Sequence, residues 1–292
     1  MQNCYKNIPL FDMRIGMIFY FFNDPNNFRS YFIEFLRDFE SFTNCEFLLY
    51  RHNKEAGMNK LKMSGMDYLV KLFNETDFNQ TQHLILSDGN KDNLQNHRLE
   101  MILRTIKPEY PIKSPNWIYF ELPLDTDFMD VFSFMKHAFL GMTFHYACCN
   151  YILAQNDYLM PKSSAETIKR VKQSQFLNDP YSVWLNPFFV KELENGIDGV
   201  NYIQLLSKRL YQQIGFEEII NNSKTSTYYH EFGEDYVVFS LSRDSWPQAF
   251  DETLFNKYKS LYNVLKPIIL EIKKPLAYWK SDEWEVWIKR FR

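Results

Sequence analysis

The stretch RIGMIFYFFNDPNNFRSYFIEFLRDF, Arg14 to Phe39, decides how the chain is read. Ile15 to Phe22 is an unbroken apolar run, bounded by Arg14 ahead and by Asn23-Asp24-Pro25 behind. It is far shorter than the roughly 20 residues that a membrane-crossing helix needs. A short apolar run that stops at a turn signal predicts a buried strand. Asp24 then suits a helix N-cap, and Pro25 suits the first helical position, where its missing N–H leaves no partner unsatisfied. Phe28, Tyr31, Phe32, Phe35, Leu36 and Phe39 return at helical spacing and give one broad apolar face.

Working outward, Cys45–Tyr50 reads as a second strand, and a loop with Gly57 leads to a short helix over Met66–Phe73. His83–Ser87 and Leu99–Ile106 read as strands joined through the Asp88-Gly89-Asn90 turn, and Trp117–Leu122 as another. Thr126 or Asp127 caps a helix with the face Phe128, Val131, Phe132, Met135 and Phe139, ended by Gly141. Met142–Leu153 follows as a long strand. Ser163-Ser164-Ala165-Glu166 has the form of a capping box opening a helix to about Gln175, stopped by Asn178-Asp179-Pro180. The segment from Trp184 to Leu193 has no clear pattern. Tyr202, Leu205, Leu206, Leu210 and Ile214 are spaced as a helix ended by Gly215. Tyr228–Phe232 and Tyr236–Leu241 form a hairpin through Gly233-Glu234-Asp235. A long helix is expected from Asp251 to Ile272, interrupted near Pro267, and a last short one over Asp282–Ile288.

Strands and helices mix without strict alternation, so the expected class is α+β, with a mainly antiparallel sheet flanked by helices. Strand–helix–strand occurs over 14–50 and again over 117–153, which suggests a structural pseudo-repeat. No Pro/Gly/Ser linker divides the 292 residues, and one domain over 1–292 is expected.

Aromatic residues make up 18% of the chain, enough to fill a sizeable core or to supply interface anchors. A net charge of −3 argues against a nucleic-acid binder, which usually carries a basic domain or stripe. Cys4, Cys45, Cys148 and Cys149 show no C-x-x-C spacing and are read as reduced thiols. With no signal peptide in view, a cytoplasmic location is expected, without membrane attachment.

Motifs that carry chemistry do not stand out. No nucleophile elbow, Walker loop, dinucleotide fingerprint or H-E-x-x-H appears in the sequence. His145 with Cys148 or Cys149 is the one local metal-like group, but a strand would send Cys148 and Cys149 to opposite faces. Carboxylates gather at Asp125/Asp127/Asp130, Glu217/Glu218, Glu234/Asp235, Asp251/Glu252 and Asp282/Glu283/Glu285. Most of these sit at helix starts and turns, where the helix dipole or solvation accounts for them. Neither a cofactor nor a metal is expected.

The last third carries a resemblance. Ile197-Asp198-Gly199-Val200-Asn201-Tyr202-Ile203-Gln204-Leu205-Leu206, ending at Ile214-Gly215, is similar to a block of the type VI secretion immunity family of bacterial proteins. The hairpin strand Tyr236–Leu241, Pro247, Phe250-Asp251, the helix from Tyr258 to Pro267 and the tail Trp287-Ile288-Lys289-Arg290-Phe291 follow in the same order. Tyr202 stands where the family usually has Trp, and Phe216 where it has a second Gly. Gln248-Ala249 replaces a Gly-rich turn, and Phe176-Leu177-Asn178-Asp179 replaces a Tyr-Pro-Gly-Leu-Asp-like segment. The resemblance covers roughly 117–292.

It implies a protein that binds a cognate toxic effector of a type VI secretion system and neutralises it by occlusion, with no catalytic residues of its own. Acidic and aromatic loops suit such a partner. The expected partner-binding residues are Asp125, Asp127, Glu234, Asp235, Asp244 and Trp246. The alternative is a hydrolase-like enzyme with an unrecognised His/carboxylate site.

Overall fold

The computed structural model describes residues 11–53, 55, 57–89, 95–106, 114–156, 162–215, 228–271 and 279–292. Cys4, Asn90, the Glu217-Glu218 pair, Phe216 and Ile272 lie outside them.

Strand β1 (Phe11–Phe21) is the centre of the architecture, as its apolar run requires. It pairs antiparallel with β6 (Asn116–Leu122) on one side and with β7 (Tyr146–Gln155) on the other. β2 (Leu49–His52), β3 (Asn59–Lys60), β4 (Gln82–Ser87) and β5 (Arg98–Leu103) extend the sheet beyond β6, and β8 (Ile203–Ser207), β9 (Tyr229–Phe232) and β10 (Tyr236–Ser240) extend it beyond β7. The order is β3-β2-β4-β5-β6-β1-β7-β8-β10-β9, ten strands in one sheet with every named pairing antiparallel. The expected α+β class with an antiparallel sheet is what the chain adopts.

α2 (Gly65–Glu75) and α3 (Phe128–Gly141) each pack against α1 (Arg29–Thr43) on one face of the sheet. Residues alternate along β1, so Met17, Phe19 and Phe21 turn to this helical face. Phe19 meets Phe35 edge-on at 5.4 Å, and Phe120 of β6 stacks on Phe39 at 4.1 Å. Each fully buried Phe here contributes about 1.5–3 kcal/mol of transfer free energy, and the edge-to-face pairs add to it. The opposite face carries Gly16, Ile18 and Tyr20, over which Trp184 lies. A Cβ on Gly16 would stand 2.8 Å from the Trp184 ring, so glycine is what lets the indole close on the sheet.

Several sequence expectations shift. Tyr202–Ile214 is not one helix. Ile203–Ser207 is β8, held between β7 and β10, and only Lys208–Ile214 is helical (α6). Asp24 caps a short 3-10 turn, Pro25–Asn27, and α1 starts later at Arg29. The helix α4 spans Lys162–Val171, so Ser164 sits within it and donates to Gln155 Oε1 at 2.6 Å instead of standing ahead of it. The unassigned segment near Trp184 holds the four-residue helix α5 (Pro187–Val190). α7 (Glu252–Leu265) ends in a 3-10 turn at Lys266–Ile268, where Pro267 stops the α-helical ladder. α8 (Ser281–Ile288) closes the fold near the C-terminus.

The two strand–helix–strand stretches differ in reach. β6–α3–β7 places its strands on either side of β1, whereas β1–α1–β2 crosses β6, β5 and β4.

Candidate functional site

Two of the three loops singled out in the sequence are joined. Asp127 caps α3, its Oδ1 accepting from the Met129 and Asp130 amides at 2.7 and 3.2 Å. Asp251 caps α7 in the same way, accepting from the Leu254 amide at 2.9 Å. Between these helix starts runs the 242–247 loop. Trp246 Nε1 donates to the Thr126 carbonyl at 2.9 Å, and Tyr202 donates its hydroxyl to the Ser245 carbonyl at 3.0 Å. The Trp246 ring packs on Phe128, Tyr202 and Tyr151, and Tyr151 in turn on Phe250. Trp246 is therefore a half-buried plug, and it holds Asp125 and Asp244 exposed at one end of the strands.

Glu234 and Asp235 stand elsewhere. They form the β9–β10 turn, where Lys208 N donates to the Asp235 carbonyl at 2.8 Å. Tyr236 pairs with Ser207 and Ser240 with Ile203, so this turn and the 242–247 loop lie at opposite ends of β10.

Beside the joined loops stand apolar side chains that no local pattern marks as exposed: Leu124 at 36%, Met129 at 44% and Phe250 at 43% exposure. The available signal was Phe250-Asp251, an aromatic residue directly ahead of a helix cap.

A buried polar network lies between the sheet and the C-terminal region. Asp198 is its hub. Tyr146 donates to its Oδ1 at 2.5 Å, Trp184 Nε1 to its Oδ2 at 2.9 Å, and Asn201 Nδ2 reaches both oxygens. Burial pushes the Asp198 carboxyl up from its ordinary value, against the lowering pull of these donors. Asn178 donates to Asn201 Oδ1 at 2.9 Å, and Tyr258 to Asn150 Oδ1 at 2.8 Å. Arg290 extends the network to the tail. It donates to Asn178 Oδ1 and to the Gln175 and Trp287 carbonyls, and its guanidinium lies 3.7 Å from the Trp287 ring centre. Burial lowers its pKa to about 9.

The sequence signal for this network was the pair of blocks 197–202 and 287–291, which are distant in the chain and meet here. A cleft of about 270 Å³ lies between them, lined among others by Asp198, Gly199, Leu270, Trp284 and Arg290. Because the Asp198 oxygens are engaged by donors from the protein, this carboxylate acts as an anchor for the fold.

The remaining candidates are structural. His145 donates from Nε2 to the Leu193 carbonyl at 2.9 Å; burial favours its neutral form and lowers its pKa to about 4, outweighing the upward pull of that bond. Cys45, Cys148 and Cys149 are free, buried thiols, and burial pushes each pKa up. Among the described residues, no group of three or more His, Cys, Asp or Glu side chains is arranged to hold a metal. Glu100 is buried, but Arg98 and His83 beside it outweigh that burial and hold its carboxyl down to about 2.

No family model and no characterised protein matches the chain in sequence. A solved structure does resemble it. It is that of a Pseudomonas aeruginosa T6SS protein, PA0821, with a TM-score of 0.76, covering 100% of this chain and 85% of that one. The sequences are 13% identical, so the likeness is one of fold.

Proposed function

We propose that this chain is a type VI secretion system immunity protein that binds a cognate toxic effector and neutralises it by covering its active surface, acting as a binder and not as an enzyme. The observation that carries the reading is the fold likeness to a T6SS protein along the whole chain, not over a shared fragment. The immunity family itself is suggested by the sequence pattern described above, which no family model matches. Two of the blocks that carry that resemblance, 197–202 and 287–291, are joined through Asn201, Asn178 and Arg290. Among the described residues, no helix is long and apolar enough to cross a membrane. Action in the cytoplasm, where an incoming toxin would be met, is part of the proposal.

The test is co-expression with the toxic effector domain encoded beside the gene, scoring survival and co-purification together. Survival with a stable complex supports neutralisation by binding. Survival without a complex would replace the reading with an enzyme that repairs damage or modifies the toxin. Death without a complex would remove it for that pair.

A further inference from the structure

The joined loops at the start of α3 and α7 form a surface of a particular chemistry. Leu124, Met129 and Phe250 are large apolar side chains left partly in water, on backbone fixed by Trp246 and by two helix caps. Rigid exposed apolar groups gain from desolvation with little ordering cost, which is what an interface centre needs. Residues 124–130 and 243–252 carry six carboxylates and one basic side chain, Arg243, and Lys257 adds a second cation beside the loop by donating to the Leu241 carbonyl at 3.1 Å. No ion pair among the described residues engages any of these carboxylates. The two helix N-termini offset only about half a positive charge each. The joined loops therefore carry a local excess of acidic groups beside three exposed apolar side chains, in a chain whose whole net charge is −3.

We infer that this surface, and not the β9–β10 turn, is where the protein docks its partner, and that the partner is a toxin domain presenting an apolar contact ringed by Lys and Arg. The inference rests on the immunity reading and adds the site and the charge of the bound surface. Asp125 and Asp244 steer and hold the basic rim, while Phe250 and Met129 fill the dry centre. Asp127 and Asp251 are occupied as helix caps and add charge without being free to move.

The probe is the effector domain encoded beside the gene, titrated against purified full-length variants. The double variant Asp125→Lys/Asp244→Lys alters exposed side chains that hold no cap, so its unfolding midpoint should match the wild type. The single variant Phe250→Ser also removes ring contacts with Tyr151 and Phe176, so its midpoint should fall and its binding is measured where it is fully folded. Each is expected to weaken binding tenfold or more and to reduce protection of cells. Glu234→Lys is expected to bind like the wild type, and wild-type affinity is expected to fall as salt is raised. If the wild type binds and both surface variants bind equally well, the site lies elsewhere and the immunity reading survives. If Glu234→Lys is the variant that loses binding, the site is at the β9–β10 turn. If the wild type neither binds nor protects, the immunity reading falls and takes this inference with it.

Discussion

Arg290 donates from Nη2 to Asn178 Oδ1 across 2.8 Å, and through that bond the last residues of the chain are tied to the network around Asp198. The same guanidinium reaches the Gln175 carbonyl at 2.8 Å and stacks on Trp287, so a planar cation fills three roles at once. Arg290→Ala removes charge-assisted bonds and the stack together. A loss of about 2–4 kcal/mol is expected, read as a lower urea midpoint. Arg290→Lys should recover less than half of it, because an ammonium cannot fork to Asn178 and Gln175 while lying flat on the indole.

Gly16 allows Trp184 to reach the sheet. Gly16→Ala would push a methyl to 2.8 Å from both Ile152 Cγ2 and the indole. Overpacking of this kind costs about 1–3 kcal/mol, and the unfolding temperature should drop accordingly. A variant as stable as wild type would mean that Trp184 can move aside.

Trp246 joins the two acidic loops through Thr126. Trp246→Phe keeps most of the ring packing and loses the hydrogen bond, for an expected cost of about 1 kcal/mol. Trp246→Ala should cost about 2–3 kcal/mol, below a fully buried site because the indole keeps an exposed edge. Limited proteolysis of Trp246→Ala should cut first in 242–250, where the loop has lost its anchor.

Two buried groups act against each other as the pH falls. His145 is held near 4 in the folded chain, below its ordinary 6.5, chiefly by burial. Between those values the unfolded chain takes the proton first, so acidification destabilises the fold. Asp179 is raised to about 6 from 3.8 by burial, which outweighs its bonds from Ser182, Tyr181 and Gln155. There the folded chain takes the proton first, so acidification stabilises it. Each effect reaches at most about 3 kcal/mol, and from pH 6 to 4 they largely cancel. His145→Gln keeps a donor for the Leu193 carbonyl without titrating. It should gain stability relative to wild type on going from about pH 7 to about pH 4.5, and Asp179→Asn should lose it over the same interval. Urea midpoints at the two pH values measure both.

These groups also show how far the sequence could be read. β1, α1, α3 and the β9–β10 hairpin are legible because an apolar run, a 3.6-residue period or a turn signal marks each one locally. β8 was hidden because Tyr202, Leu205, Leu206 and Leu210 satisfy helical spacing. What makes Ile203–Ser207 a strand is pairing with β7 on one side and β10 on the other, a long-range fact. Gln204 fits that position by donating to the Tyr146 hydroxyl and the Gly199 carbonyl. For the Asp198 network the blocks 197–202 and 287–291 are marked in the sequence, but that they meet, with Tyr146 and Trp184 as further donors, is again a long-range fact. Asp127 could be named as a cap from its neighbours in sequence, whereas Trp246, expected there as a partner-binding residue, is shown to be a plug by its ring contacts in the fold. That their loops meet, while Glu234 and Asp235 stand apart, is set by strand order.

The central claim is stoichiometric neutralisation, and titrating the purified protein into a fixed amount of active effector domain tests it most directly. Toxin activity should fall linearly and vanish at a fixed molar ratio, with a complex of that ratio isolated by size-exclusion chromatography. Loss of toxin activity at a small fraction of an equivalent, or with no complex formed, would contradict neutralisation by binding and indicate catalysis instead.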